Sequence, residues 1–525
     1  MVDYVIAGSG INGLVAASML ALRGKKVIVL ERNDRIGGCI RTGEITAPGF
    51  VHDVMATTFV LFLLSPAYAV LGPELEKRGL EFAHPEIPAG VLLPSGESLT
   101  LGRSRAANAA TLDQLAGGDG QQFARDMERL GADAPFLFAL LGGSLWSWPM
   151  AKLVAKETWR RGPRGLAAFF GDALTTARGW LEPNYKSPLF HGFMAPWVLH
   201  TGLGPESAYS GQMAKVIAFA LEAAGAPIVK GGGQNLLRAF EKLITDHGGE
   251  IRVGADVAEV IVDEANRATG VVLASGERVA AGKGVICSMA PLQLYGRLLR
   301  SHPASEVART QAAAYRHGKG NMQIHYALKS PPKWKTRDLA QVALLHLTPG
   351  LDGVSKAANE AERGMLPVEP TICVGQPTAF DPTRAPEGKA ILWLQLPEAP
   401  RVLKGDAAGL LKVPADGRWD EATREAYADR VEALLVRHLP GFRKTVMARR
   451  CYSPADLEAL NVNLIGGDPY GGYCGLDQFF LWRPFKTSVN HKTTVGRLFH
   501  IGASTHPGPG LGGGSGYLLA KSLGK

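Results

Sequence analysis

Near the N-terminus, hydrophobic positions fall into two short runs flanking one helix-length stretch. Tyr4-Val5-Ile6-Ala7 is a continuous apolar run of the kind a fully buried strand needs. Gly8-Ser9-Gly10-Ile11-Asn12-Gly13 follows, then residues 14–23, rich in helix formers, with Gly24 as a C-terminal stop. Val27-Ile28-Val29-Leu30 is a second buried run and ends on Glu31. Strand, glycine turn, helix, strand and acid together predict a βαβ unit. A second block begins at Lys230-Gly231-Gly232-Gly233, which opens a helix predicted to reach about Asp246. Strands are predicted at 250–253, 256–262, 268–273 and 284–288, the second of them alternating like a half-buried strand. Near the C-terminus the chain returns to strand (498–501), glycine loop (502–516) and helix (517–523).

Three other stretches have a pattern of their own. Residues 54–73 carry no charge, but Ser65-Pro66 and Gly72-Pro73 interrupt them. A bilayer span needs about 20 predominantly apolar residues, so this stretch is read as buried core, with a tunnel wall or shallow membrane contact as the alternative. Residues 145–180 combine aromatics with Lys152, Lys156 and Arg160 at four-residue spacing, and Arg161 and Arg164 close by. That is a solvated helix face, or a surface able to lie on an anionic membrane. Residues 351–420, with many Pro, Gly and charged residues, are read as surface loops.

Composition narrows the classes. The chain has 525 residues, 46% hydrophobic and 20% charged, which excludes a mostly disordered protein. At roughly 150 residues per unit, three to four domain-sized units are expected. Five cysteines, Cys39, Cys287, Cys373, Cys451 and Cys474, are far apart and form no CxxC pair, against a disulfide framework or a structural zinc. Met1-Val2-Asp3-Tyr4 lacks a basic leader region, and a reducing, cytoplasmic setting is expected. The +9 formal charge is spread along the chain without a recognition motif, so no nucleic-acid partner is expected. Thirteen histidines are scattered with no cluster at metal spacing, and no metal centre is expected.

The glycine turn has a chemical logic. Gly8 permits the tight turn, Gly10 lets backbone approach a pyrophosphate, and Gly13 lets the helix pack on the strand. Backbone N–H groups around Ile11 and Asn12, at the positive helix end, then face the phosphates. Glu31, 18 residues after Gly13 and followed by Arg32, can accept hydrogen bonds from both ribose hydroxyls and repels a 2′-phosphate. In this context the motif predicts a dinucleotide site.

Beyond Glu31 come Gly37-Gly38 and Arg41-Thr42, and here the sequence resembles the flavoprotein superfamily whose first βαβ unit continues as E-x5-GG-x-x-x-[ST]. By that resemblance the glycine pair lies on the cofactor, and Arg41 and Thr42 flank its pyrophosphate and flavin. Cys39, in the same loop, is read as an inert small residue rather than a covalent flavin link. The block 227–291 resembles phytoene-desaturase-like flavoproteins, in which the backbone at Val257 would contact adenine. The C-terminal loop, with Gly502, Ala503, His506, Pro507, Gly508, Gly510, Leu511 and Gly512, resembles the GAxTHPGxGxxG ending of bacterial phytoene desaturases, where it supports the flavin. A third block, Gly466-Gly467-Asp468 through Leu476-Asp477-Gln478 to Arg483-Pro484, resembles the branch labelled pyridine nucleotide-disulfide oxidoreductase domain proteins.

The resemblance implies FAD and an α/β fold: a discontinuous Rossmann-type FAD-binding domain (1–85, 226–300 and 486–525) and a mixed-sheet substrate domain with a helical cap (86–225 and 301–485). It implies a dehydrogenase or desaturase that moves a hydride between a substrate C–H bond and flavin N5. The substrate would be small and apolar, isoprenoid-like or cyclic, with oxygen or a membrane quinone as electron acceptor and peripheral contact with a membrane. Other readings are an amine oxidase or cyclic-ketone dehydrogenase, a redox-neutral isomerase using reduced FAD, and a flavin-stabilised interaction protein without turnover. The catalytic base is not identified by any motif; His191, His200, Tyr209 and His506 are the candidates.

Overall fold

The computed structural model describes residues 2–524. Its first sheet is built around Val2–Ala7 and Val27–Leu30, paired in parallel with Ile6 opposite Val29. Arg278–Ser288 lies on the other side of the first strand, and its C-terminal half pairs in parallel with both Val2–Ala7 and Leu498–Ile501. Glu250–Arg252 extends the opposite edge, and Val257–Val262 and Ala268–Leu273 add an antiparallel hairpin. One seven-stranded sheet therefore draws on three separated stretches of chain. The two central strands are buried on both faces, which is why they read as unbroken apolar runs. Helices Ile11–Ala21, Gly233–Asp246 and Gly514–Leu523 pack on it around Leu14, Leu20, Phe240 and Leu519.

A second seven-stranded sheet is mixed. Its order runs Val446–Tyr452, Gly320–Leu328, Ala390–Ala399, Ile372–Gly375, Val342–Leu347, Ile87–Leu92 and Ser98–Leu101. Residues 351–420, expected as surface loops, instead supply helix Leu351–Glu362 and two central strands of this sheet. The run Ala390-Ile391-Leu392-Trp393-Leu394 is wholly buried, and hydrophobic burial prevails over the surrounding Pro and Gly content. Five helices, Asp119–Gly142, Trp148–Ala173, Ala177–Asn184, Pro188–Leu199 and Ser210–Ala224, form the cap.

The charge-free stretch 54–73 breaks into helices Val60–Leu63 and Pro66–Glu76, the second capped by Ser65 Oγ, which accepts from the Tyr68 N–H at 3.0 Å. Phe62 and Leu71 are buried while Leu61, Leu64 and Val70 are exposed. Among the described residues no helix is long and apolar enough to cross a membrane. In the cap helix Trp148–Ala173, Gly162 makes a kink at φ +71°. Arg160 and Arg161 pair with Glu157 and Asp133, whereas Trp148 and Trp159 lie 72% and 92% exposed.

A buried charge network ties together segments that lie between the two sheets. Arg384, fully buried, donates to Asp53 Oδ2 (2.8 Å), Asp381 Oδ2 (2.9 Å) and the Val229 carbonyl (2.8 Å). Asp53 Oδ1 accepts in turn from Thr42 Oγ1 (2.5 Å) and from the Gly233 N–H (2.9 Å).

Candidate active site

The first glycine turn closes tightly against the sheet. Gly8 has φ +96°, and a Cβ there would stand 2.6 Å from the Ser288 carbonyl oxygen; at Gly13 it would run into the Gly8 carbonyl. At Gly10 the nearest atom would be 4.0 Å away, so the backbone there is open to a ligand. Helix Ile11–Ala21 starts at Gly10 with no side-chain cap, leaving first-turn N–H groups without an intrahelical partner. An uncapped, glycine-lined helix start of this kind suits an anionic phosphate.

Glu31 is buried beside this turn. Its Oε2 accepts from Ser9 N–H (3.1 Å) and Ser9 Oγ–H (2.5 Å), and its Oε1 accepts from Asn33 N–H (2.9 Å). Of about four lone-pair sites on a carboxylate, three are therefore occupied by the protein. Glu31 has room for one ribose hydrogen bond rather than the two expected.

The C-terminal loop comes back to the same place. Asn12 Oδ1 accepts from Ser515 Oγ–H (2.8 Å) and Gly516 N–H (3.3 Å), and Ser515 Oγ accepts from Gly502 N–H (2.9 Å). A single carboxamide thus ties the two glycine loops together. Between them runs one cavity of about 1160 Å³, larger than the usual 300–1,000 Å³ small-molecule site. Gly8, Gly10, Ile11 and Asn12 line one part of it, with Glu31, Arg32, Gly37, Gly38 and Val257. Gly502, Ala503, Pro507, Gly508, Gly510, Leu511 and Gly512 line it from the C-terminal side. A cleft with an uncapped helix start and an acid on one side and a second glycine loop on another fits a dinucleotide cofactor.

Three predicted cofactor residues are not in the lining. Gly13 sits behind the turn, packing helix on strand. Arg41 lies outside the cavity wall. Thr42 is engaged elsewhere, donating to Asp53 and accepting from the Gln234 N–H (3.0 Å) at the start of the helix Gly233–Asp246. Its hydroxyl ties the 42–53 hairpin to the start of that helix instead of facing the cleft. Cys39 does line the cavity, and burial pushes its thiol up to about 11, the protonated, unreactive form.

Past the glycine loops the cavity continues beneath the cap, walled by Leu141, Leu203, Tyr209, Met213, Val216 and Phe479. His200 and Tyr209, two of the four catalytic candidates, face this space. His191 does not; its Nε2–H donates to the Tyr185 carbonyl at 2.9 Å. Nor does His506, whose Nε2–H donates to the Gly143 carbonyl at 2.9 Å and fastens the C-terminal loop to the cap. Tyr209 holds φ +76°, an uncommon conformation for a non-glycine residue, and burial raises its hydroxyl pKa. His200 Nε2 faces His346 Nε2 at 2.9 Å, and burial holds His200 down to about 4 and His346 well below its usual value. His200 is neutral at pH 7, and the contact needs a proton on one of the two facing nitrogens.

Cys373 completes a trio with this pair: the three ligating atoms lie within 4.8 Å of one another. This corrects the expectation that no metal-spaced cluster exists. His346 and Cys373 are cross-strand neighbours, and the end of Pro188–Leu199 brings His200 over them, a meeting that spacing along the chain cannot reveal. Sequence reasoning also missed Asn321, Gln323 and Gln395, which line the cavity from the second sheet. Their only signal is period-two alternation on strands whose neighbours are far away in sequence.

Comparison with known proteins agrees with this arrangement. Residues 11–440 match the family described as flavin containing amine oxidoreductase. The chain is 29% identical, over 98% of its length and 92% of the relative's, to pyridine nucleotide-disulfide oxidoreductase domain-containing protein 2 of Rattus norvegicus. It is 25% identical to the neurosporene-forming phytoene desaturase of Rhodobacter capsulatus, covering 99% of this chain and 93% of that one. A crystal structure of an oxidoreductase from Methanosarcina mazei superposes with a TM-score of 0.64 at 16% identity, covering 99% of both chains, a likeness of fold. FAD is the cofactor that fits the cleft and the family alike. The chain belongs to the flavin containing amine oxidoreductase family.

Proposed function

We propose that this FAD-dependent oxidoreductase is a dehydrogenase or desaturase acting on C–H bonds of an apolar, isoprenoid-like or cyclic substrate. The observation that carries this reading is the distribution of charge in the cavity. Its charged lining residues, Glu31, Arg32, Asp256, Arg297 and Lys521, all come from the stretches that build the cofactor cleft. Among the described residues, those lining the cavity from the cap and the second sheet include none that is charged at neutral pH. An ammonium group there would be desolvated without a counter-ion, which is costly, whereas an apolar substrate is favoured by burial. The family resemblance to a phytoene desaturase points the same way.

When bound, FAD supplies the two-electron acceptor chemistry. The protein's part is to hold the cofactor with the two glycine loops, orient the substrate along the aromatic wall and exclude water beneath the cap. A proton must also leave the substrate, and His200 is the group placed to take it. Its neutral ring opens on the cavity, with its Nε2 facing His346 Nε2. Tyr209, with its raised hydroxyl pKa, is a poor base. Oxygen or a membrane quinone serves as electron acceptor in this reading. Contact with an anionic membrane through the exposed Trp148 and Trp159 belongs to it too.

Anaerobic titration of the purified protein tests the proposal. Apolar isoprenoid or cyclic compounds should bleach the flavin absorbance, and primary amines should not. Bleaching by amines alone would replace it with an amine-oxidase reading. A product of unchanged mass would replace it with redox-neutral isomerisation.

A further inference from the structure

In the uncharged part of the cavity one polar residue has nothing to bond. Asn321 is 1% exposed, and neither its Nδ2 nor its Oδ1 has a hydrogen-bond partner among the described residues. It lies on the central strand Gly320–Leu328, whose Met322, Ile324 and Tyr326 point into the core on the far side of the sheet. Asn321 and Gln323 take the opposite face and line the cavity. Gln323 is engaged, its Oε1 accepting from Trp393 Nε1–H at 3.0 Å. Gln395, directly across from Gln323 in the sheet, also opens on the cavity.

A buried donor or acceptor left unmade is costly, and Asn321 presents one of each. We infer that Asn321, with Gln395 beside it, is a head-group subsite for a neutral hydrogen-bonding function, a hydroxyl or carbonyl, carried by an otherwise apolar substrate. A hydroxyl both donates and accepts, matching the two free amide atoms; a carbonyl satisfies Nδ2 alone. A carboxylate or an ammonium would meet no opposite charge here, and a pure hydrocarbon would leave the amide unsatisfied. The substrate is thus an amphipathic molecule, its polar end on the sheet and its apolar body along Tyr209, Met213 and Val216. This inference rests on the apolar-cavity reading above and narrows it.

The test measures binding to the flavin-loaded protein by perturbation of the flavin spectrum, using farnesol, farnesene and farnesylamine, which share one skeleton. Farnesol should bind about tenfold or more tighter than farnesene, the discrimination a site built to hydrogen-bond a hydroxyl gives, and farnesylamine weakest. Asn321→Leu should erase the preference for the alcohol, leaving affinity for farnesene and FAD content unchanged. Asn321→Ser, which keeps a smaller hydrogen-bonding group, should retain part of it and serves if the leucine variant does not fold. Equal binding of farnesol and farnesene by the parent protein would overturn the inference alone, leaving the apolar-substrate reading intact. Loss of FAD from the folded Asn321→Leu protein would also overturn it, by assigning the amide to the cofactor. Tightest binding of farnesylamine, or no perturbation by any of the three, would overturn both.

Discussion

At Glu31 the carboxylate does two jobs with one set of lone pairs. Ser9 and Asn33 fix its orientation, and the residue also lines the cleft. Glu31→Ala should remove one charge-assisted ribose bond, worth about 1.5–3 kcal/mol, and also loosen the turn that Ser9 anchors. FAD affinity should fall roughly tenfold to a hundredfold, since each 1.4 kcal/mol is a factor of ten; the ratio of visible to protein absorbance after gel filtration measures it. Retention equal to the parent's would mean that the ribose lies elsewhere. The glycines here are as legible as the acid, because each answers a steric demand that no other residue meets: positive φ at Gly8 and helix-on-strand contact at Gly13. Thr42 is the opposite case. Its place after Gly37-Gly38 pointed to the cofactor, yet the hydrogen bonds of a hydroxyl depend on which distant groups arrive beside it, here Asp53 and Gln234.

Elements were readable where their pattern is local. The βαβ unit, the helix 233–246 and the closing strand–loop–helix follow from apolar runs and glycine stops, and the structure has them within a residue or two at most boundaries. The second sheet was not readable strand by strand. Its neighbours, such as Ile87–Leu92 beside Val342–Leu347, are joined only through tertiary pairing, and the sequence carries no register between segments so far apart. The cap helix Trp148–Ala173 falls in between. Its four-residue basic spacing is a true helical face, but Arg160 and Arg161 are neutralised by Glu157 and Asp133, leaving Lys152, Lys156, Arg164 and the exposed tryptophans as the surface that remains. If that surface meets lipid, the protein should co-sediment with vesicles containing anionic phospholipid and much less with zwitterionic ones. Trp148→Ser with Trp159→Ser should abolish the difference without changing FAD content. Unchanged sedimentation of the double variant would leave the tryptophans without that role.

Over the whole molecule, burial of histidine is the dominant pH-sensitive feature. Desolvation holds His200, His491, His500 and His506 down to about 4 and His52 to about 3, with His325 and His346 well below the usual value. These folded-state pKa values lie below the unfolded value near 6.5, so between pH 6.5 and 4 the unfolded chain binds more protons and stability falls as the pH drops. Glu398 opposes this by one proton: burial raises it to about 8, so its folded form stays protonated where the unfolded chain has ionised. Seven imidazoles outweigh one carboxyl in that window. The melting temperature should fall from pH 6.5 to 5, with each net proton contributing roughly 1.4 kcal/mol per pH unit; differential scanning calorimetry across the range would show it, and a flat profile would mean that water reaches these rings.

The Asn12 carboxamide, reaching across to Ser515 and Gly516, has a meaning for how the protein is made. On a ribosome the first glycine turn emerges well before its partner loop, residues 502–516, and before the helix Gly514–Leu523 that seats on Ile11–Ala21. Until they arrive, one wall of the cleft is missing and the first helix lacks one of the helices that cover it. Loading of the cofactor therefore has to wait until that loop has emerged, and nascent chains stalled before residue 502 should stay colourless in the presence of excess FAD.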